Sequence, residues 1–283
     1  MATTHSKTPV NTKPTVLLTA SEWWPLAARL AVALDRHGCR VEALCPRHHL
    51  LEQVPVIRKT YRYGALDSLG HMRRALKASR PDLVIPCDDG AVAQLHAMHA
   101  REPALRPVIE RSLGPRESYP VIEGRYELLR LADSRGIRVP RFRKIERARD
   151  LEDWHENVSS IAVVKLDGDT GGVGVCLSGS LDASLAAFER FRRPSGTATA
   201  VKRAIVDRDP LALWRSRSGD NGVSVQEFIT GPPANSMLAC WNGKLIGIMS
   251  VAVVASAGAT GVATVVRIID NDEMKAAAEL IAS

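Results

Sequence analysis

No stretch of this 283-residue chain approaches the roughly 20 consecutive apolar residues that span a bilayer, so a membrane protein is not expected. Met1–Pro14 is polar and lacks the apolar centre of a secretory signal, and it reads as a disordered tail. Cysteine is scarce and unpatterned. Cys39, Cys45, Cys87, Cys176 and Cys240 are odd in number, scattered and never spaced C-x-x-C. That usage argues against a disulfide framework or a zinc site and predicts a reducing, cytoplasmic setting. Internal repeats are also missing.

Several ligand signatures are absent as well. A P-loop places its lysine after the glycines and before a helix, and no segment does so. The first strand-to-helix turn, Thr19-Ala20-Ser21, has no glycine and cannot be a dinucleotide loop. Asp167-Gly168-Asp169 lacks the remaining positions of a calcium loop. The net charge is +7, with arginines dense between Glu189 and Arg217. Asp207, Asp209 and Asp220 interrupt that stretch and no aromatic pattern accompanies it, so nucleic acid is not the expected partner. A solvated basic face, or attraction for an anionic nucleotide and a carboxylate, accounts for the charge better.

What remains is ordinary in bulk and particular in one place. Apolar residues make up 45% and charged residues 24%, the composition of a soluble globular protein long enough for two or three cores. The particular place is Val163-Val164-Lys165-Leu166-Asp167-Gly168-Asp169-Thr170-Gly171-Gly172-Val173-Gly174-Val175. An apolar run ends in a lysine, a glycine-rich loop follows, and Val173–Leu177 reads as a second strand. Gly168, Gly171, Gly172 and Gly174 would let backbone N–H groups approach phosphate oxygens, and Lys165 would bring a mobile charge. A flexible hairpin with an ordinary surface lysine fits the loop alone equally well.

Ahead of this loop the pattern is strand, helix, strand. Thr15–Ala20 is a continuous apolar run of strand length. The helix after it has Ser21 as its expected cap, Pro25 in its first turn, Trp23, Ala27, Leu30 and Leu34 on one face, and Gly38 as its stop. Arg40–Cys45 and Asp82–Pro86 are further strands, with a helix over Leu66–Ser79 between them. This rhythm predicts a doubly wound α/β domain with a parallel sheet, which binds ligands beyond the carboxyl ends of its strands. At such an end Asp89 either caps a helix over Gly90–Ala100 or touches a substrate, capping being the simpler reading. His96 and His99 on that helix have no third metal ligand and read as surface residues.

Behind it a new unit is expected. Glu117–Gly136 reads as one helix with Leu128, Leu131 and Ala132 as its stripe. Asp150–Val158 is a short helix, Ile161–Lys165 a strand, Ser180–Arg192 a helix, and Arg193–Asn221 an insertion or mobile segment. Val223–Ile229 alternates as a strand before the turn Thr230-Gly231-Pro232-Pro233. Asn235–Trp241 and Lys244–Val254 form a hairpin about Asn242-Gly243. Gly258–Gly261 is a flexible loop, Thr264–Ile269 a strand, and Asp270–Ser283 opens a helix.

In this order the pieces resemble the ATP-grasp superfamily, in particular its carbamoyl-phosphate-synthase-like and carboxylate–amine ligase members. The resemblance is carried by Arg125–Ala132 with Gly136–Pro140, by Val163–Val175, by Val225–Gly231, and by the α/β domain in front. It implies an α/β pre-ATP-grasp domain (15–115) followed by α+β ATP-grasp subdomains at 116–222 and 223–283. It also implies ATP clamped between the two subdomains. Arg125, Lys165, Gly171, Gly172 and Gly174 would meet the phosphates, the glycine loop acting as a lid. Glu227 and Ile229 would bind adenine through their backbone, with Phe228 between them and the Gln226 side chain near the same base. Arg267 would take the substrate carboxylate or the transferring phosphate, a structural role being the alternative.

The activity implied is ATP-dependent activation of a small-molecule carboxylate as an acyl phosphate, which an amine then attacks to give an amide, ADP and phosphate. A nucleotide-binding or degenerate protein without ligase activity, and a carbamoyl-phosphate-like enzyme acting on bicarbonate, are the alternatives. A homodimer is a candidate assembly. Three departures from the family pattern stand out. Arg125 occupies a usual lysine position and Gln226 a frequent glutamate. Pro233 occupies the place of a ribose-gripping acid, with Asn235 a weak substitute. The family's Mg²⁺ ligands lie on segments beyond Ser283, so the chain is expected to be truncated. Asp270-Asn271-Asp272-Glu273 reads as a helix cap, and no metal ligand is assigned.

Overall fold

The computed structural model describes residues 13–64, 66–167, 174–193, 211, 222–258 and 261–283. They fall into two compact units, one reaching to Pro115 and the other beginning at Arg116. The first contains β1 (Thr15–Thr19), α1 (Leu26–Arg36), β2 (Arg40–Cys45), β3 (Ile57–Arg62), α2 (Ser68–Ser79), β4 (Leu83–Pro86), α3 (Asp89–Arg101) and α4 (Arg106–Leu113). Its sheet has the order β3-β2-β1-β4 with every pair parallel. Leu17, Leu18, Ala43 and Leu44 are fully buried, because the central strands are covered on both faces; β1 reads as a continuous apolar run, while β2 carries the buried Glu42, whose carboxylate accepts from Arg40 and Tyr61. β3 carries no such run. It is an edge strand, Ile-Arg-Lys-Thr-Tyr-Arg, half exposed and invisible to a search for apolar segments.

The strand order reverses at β1 and β4, the crevice where folds of this kind hold ligands. Here a carboxylate of the chain fills it. Asp88 accepts hydrogen bonds from Ser21 N at 2.5 Å, Ser21 Oγ at 2.5 Å, Glu22 N at 3.1 Å and Ala91 N at 2.9 Å. Two expected caps are thereby corrected. Ser21 is held by Asp88 while Pro25 sits at the start of α1 without a side-chain cap. Asp88, still extended, caps α3, because Asp89 has already entered the helix. His96 and His99 are buried rather than on the surface, and His99 Nε2 lies 2.6 Å from Glu110 Oε1.

The same end of the sheet holds two thiols. Burial raises both Cys45 and Cys87 to about 12, so neither carries appreciable thiolate at pH 8. Cys240, on a strand of the second unit, is exposed. Iodoacetamide at pH 8, followed by peptide mass spectrometry, is expected to label Cys240 in the native protein and Cys45 and Cys87 only after urea. Equal native rates at the three would contradict this burial.

The second unit begins with α5 (Tyr119–Glu123) and α6 (Arg125–Ser134), where one helix was expected. Gly124 is extended (φ −111°, ψ 121°) and breaks the helix, which makes Arg125 the first residue of α6. Leu128, expected in the apolar stripe, is exposed. Then follow β5 (Phe142–Ile145), α7 (Ala148–Asn157), β6 (Ala162–Leu166), β7 (Val175–Ser178), α8 (Leu181–Arg192) and β8 (Val223–Glu227). They form an antiparallel sheet in the order β5-β8-β6-β7. Ile145, Ala162, Val164, Val223 and Val225 pack with Leu151 and Trp154 of α7 and Ala187 and Phe188 of α8. One face of the sheet is committed to these helices.

A second antiparallel sheet, β11-β10-β9, contains β9 (Ala234–Trp241), β10 (Lys244–Ser256) and β11 (Ala263–Ile269). Asn242 and Gly243 join β9 to β10 with φ of 49° and 72°, the two left-handed residues that a tight hairpin requires. A final helix, α9 (Asp272–Ala282), is capped by Asn271, whose Oδ1 accepts from Met274 N at 2.9 Å.

Candidate functional site

Strand alternation decides which side chains share the face that α7 and α8 leave. Ala162 and Val164 of β6 enter the core, so Val163 and Lys165 point the other way. The register then aligns two rows. Lys144, Ser224, Lys165 and Val175 stand side by side across β5, β8, β6 and β7. Phe142, Gln226, Val163 and Leu177 form the next row. Gln226 and Lys165 therefore lie on one face, two of the expected site residues brought together by pairing that no local motif records. Lys144 joins them about 10 Å from Lys165, two strand spacings away. Its only sequence signal was the alternation Phe142-Arg143-Lys144-Ile145.

At the end of β6 the chain assembles a charged cluster. Arg125 Nη1 donates to Leu166 O at 3.0 Å, and Arg125 N donates to Asp167 Oδ1 at 2.9 Å. Tyr126 N also donates to Asp167, and the Tyr126 ring meets Phe142 edge-on at 5.5 Å. Asp167 N donates to Gly222 O at 2.8 Å, and Leu166 N to Gly174 O at 2.8 Å. The start of α6 is thus anchored on β6 through Asp167, which stands at its exposed N–H groups in place of a helical cap residue.

Burial, reinforced by the Arg125 guanidinium, pushes the Lys165 ammonium below its ordinary range, and Asp167 opposes the shift. Burial raises the Asp167 carboxyl, while the Arg125 N–H and guanidinium act in the other direction. Lys165 and Asp167 thus sit in surroundings that disfavour their charged forms, a condition that an incoming anion would relieve for the lysine. Asp167 was missed as a site residue. Its sequence signal is an acid two positions after the strand lysine, within Asp167-Gly168-Asp169.

The other expected residues are placed as follows. Gly174 closes the β6–β7 connection through its carbonyl. Gly171 and Gly172, with most of the 168–174 loop, lie outside the described residues, as does most of the 193–221 stretch. Glu227 ends β8 with its N–H on Arg141 O at 2.9 Å and its carboxylate paired with Arg141 at 3.0 and 3.2 Å. Phe228 and Ile229 follow β8 and are exposed, on the stretch that carries the chain from one sheet to the other. Arg267 is exposed on β11 opposite Ala252, in the other sheet, and no hydrogen bond joins it to the Lys165 cluster among the described residues. No group of three or more potential metal ligands occurs among the described residues, and no helix there is long and apolar enough to cross a membrane.

No family model matches the chain, and no curated protein matches it in sequence. Solved structures do match it in fold. An L-amino acid ligase from Bacillus licheniformis superposes with a TM-score of 0.63 at 15% identity, covering 95% of this chain and 62% of that one. The biotin carboxylase domain of Hydrogenobacter thermophilus 2-oxoglutarate carboxylase, in complex with MgADP, ADP and bicarbonate, gives 0.61 at 13%, covering 94% and 56%. The N5-carboxyaminoimidazole synthase of Aspergillus clavatus, with ADP and 5-aminoimidazole ribonucleotide, gives 0.61 at 13%, covering 95% and 62%. The chain therefore spans about three-fifths of the length of these proteins. Its fold is the one the resemblance implied, a parallel α/β domain followed by the antiparallel sheets and helices of the ATP-grasp fold.

Proposed function

We propose that this chain binds ATP and serves an ATP-dependent ligase that activates a small-molecule carboxylate as an acyl phosphate for attack by an amine. The observation that carries the reading is the convergence of Lys165 and Arg125 at the end of β6, on a sheet whose same face presents Gln226. Two partly desolvated cations beside a helix N-terminus form a phosphate subsite of recognised chemistry. Gln226, the Glu227 carbonyl, Phe228 and Ile229 would take the adenine at the other end. The ADP complexes among the similar structures support the nucleotide.

The residues present fit a triphosphate. Lys165 and Arg125 would draw charge from its oxygens and orient it, which is how protein groups assist phosphoryl transfer. Mg²⁺, when bound, would neutralise the remaining charge; no residue of this chain is assigned to hold it. Arg267 is assigned to the substrate carboxylate, Gly171, Gly172 and Gly174 to the phosphates. The division expected at 15–115, 116–222 and 223–283 is proposed with its last boundary moved past β8, because Val223–Glu227 pairs with β5 and β6 in the sheet of the first ATP-grasp subdomain. Calorimetric titration is expected to show ATP binding at least tenfold tighter than adenosine, because the cluster recognises phosphate. No binding of ATP would overturn the proposal, and equal affinities would remove Lys165 and Arg125 from it.

A further inference from the structure

We propose that Asp167 is a built-in counter-anion of the Lys165–Arg125 subsite, competing with phosphate for the same cations and setting how tightly the site takes an anion. The inference rests on the reading that these two cations meet nucleotide phosphate. Its support is the position of one carboxylate. Asp167 takes the N–H groups of Arg125 and Tyr126 at the α6 N-terminus, where helices bind external anions. It stands electrostatically beside both the Arg125 guanidinium and the Lys165 ammonium. Its own N–H is fixed to Gly222 O at 2.8 Å, so the carboxylate enters the subsite from a backbone tied to β8.

Room for this carboxylate is provided at Gly222, while the nearer neighbour of Gly124 is a backbone carbonyl. A Cβ at Gly222 would lie 3.3 Å from Asp167 Oδ2, a crowded approach, and one at Gly124 would lie 3.7 Å from it and 3.1 Å from Pro120 O. Without an anion, two neighbouring cations and a helix terminus would repel one another in a half-buried place, and Asp167 answers all three at once. An arriving phosphate meets the same cations and must tolerate the carboxylate. Asp167 is therefore expected to lower affinity for the anionic part of a ligand while keeping α6 and Arg125 in position.

The test separates charge from geometry. Asp167→Asn retains an oxygen for the Arg125 N–H, asparagine being a good helix cap, and removes the charge. ATP is expected to bind about tenfold tighter to this variant, with adenosine unchanged, as loss of one like charge beside a half-buried phosphate gives. The tightening should shrink as salt rises. Asp150→Asn removes an acid that instead takes the Glu146 and Arg147 N–H groups at the start of α7, and should leave ATP affinity alone. Should Asp167→Asn not fold, Asp167→Ser, also neutral and able to cap, reads the same difference. Unchanged or weaker ATP binding in the neutral variant, or an equal change for adenosine, overturns the proposal for Asp167. Failure of the unaltered chain to bind ATP would instead overturn the nucleotide reading beneath it.

Discussion

Replacing Lys165 with alanine is expected to weaken ATP about a hundredfold while leaving adenosine within about twofold, since a hydrogen bond between charged groups is worth roughly 1.5–3 kcal/mol. The asymmetry matters more than the size. Lys165 stands at the phosphate end of the proposed site, a row away from Gln226, and its ammonium is held below its usual range by burial and by Arg125. A bound phosphate would favour the charged form, so binding at pH values around and above the lowered pKa should take up protons. The sign follows from the direction of the shift. A lysine whose pKa is lowered in the free protein and raised in the complex gains a proton on binding, and affinity then falls as pH climbs through the free-protein value. Lys165→Arg should recover part of the loss, because charge returns without the same reach. Paired titrations of ATP and adenosine at several pH values measure all of this. Equal losses of the two ligands in Lys165→Ala would mean that the substitution had damaged the fold rather than removed a phosphate contact.

The largest effect on stability is expected from Trp154→Ala, a loss of about 3–5 kcal/mol, the usual cost of emptying a large aromatic site. Trp154 is 1% exposed and packs with Leu151, Ala187, Phe188 and the core-facing residues of β6 and β8. These are the side chains that hold the back of the sheet carrying Lys165. Its Nε1 finds no partner among the described residues, so its contribution is packing rather than hydrogen bonding. Trp154→Phe should therefore cost much less than alanine, since it fills much of the volume and leaves no indole N–H to bury. Urea unfolding followed by far-UV circular dichroism measures both variants. A phenylalanine variant as unstable as the alanine one would show that the indole N–H has a partner after all.

Much of this architecture was legible along the chain. β1 announced itself as an apolar run because a central parallel strand is buried on both faces, and β4, at the sheet edge, carried the short apolar run Leu83-Val84-Ile85 as well. The hairpin at Asn242-Gly243 was equally plain, since only a few residue types accept two successive positive φ angles. Lys165 and its glycine loop could be singled out because the signal is local, a lysine closing a strand before a run of glycines. Where the argument needed the partner of a residue, local pattern failed. β3 reads as polar because its side chains are only partly covered, and Asp89 looked like the cap because the sequence does not show which of two adjacent acids stays extended.

The site itself was decided in three dimensions. The break at Gly124 makes Arg125 a helix terminus, and nothing in Glu-Gly-Arg-Tyr distinguishes it from a helix passing through a glycine. Asp167 reaches back 42 residues to cap that helix, a partner from another segment that no spacing rule predicts. Lys165 and Gln226 share a face because β6 and β8 pair in one particular register; a shift by one residue would put them on opposite sides. Sequence periodicity records which residues seek burial, so it determined the elements and their apolar faces. Which charges meet depends on strand pairing and helix docking between distant segments, and those were settled only when the chain closed on itself.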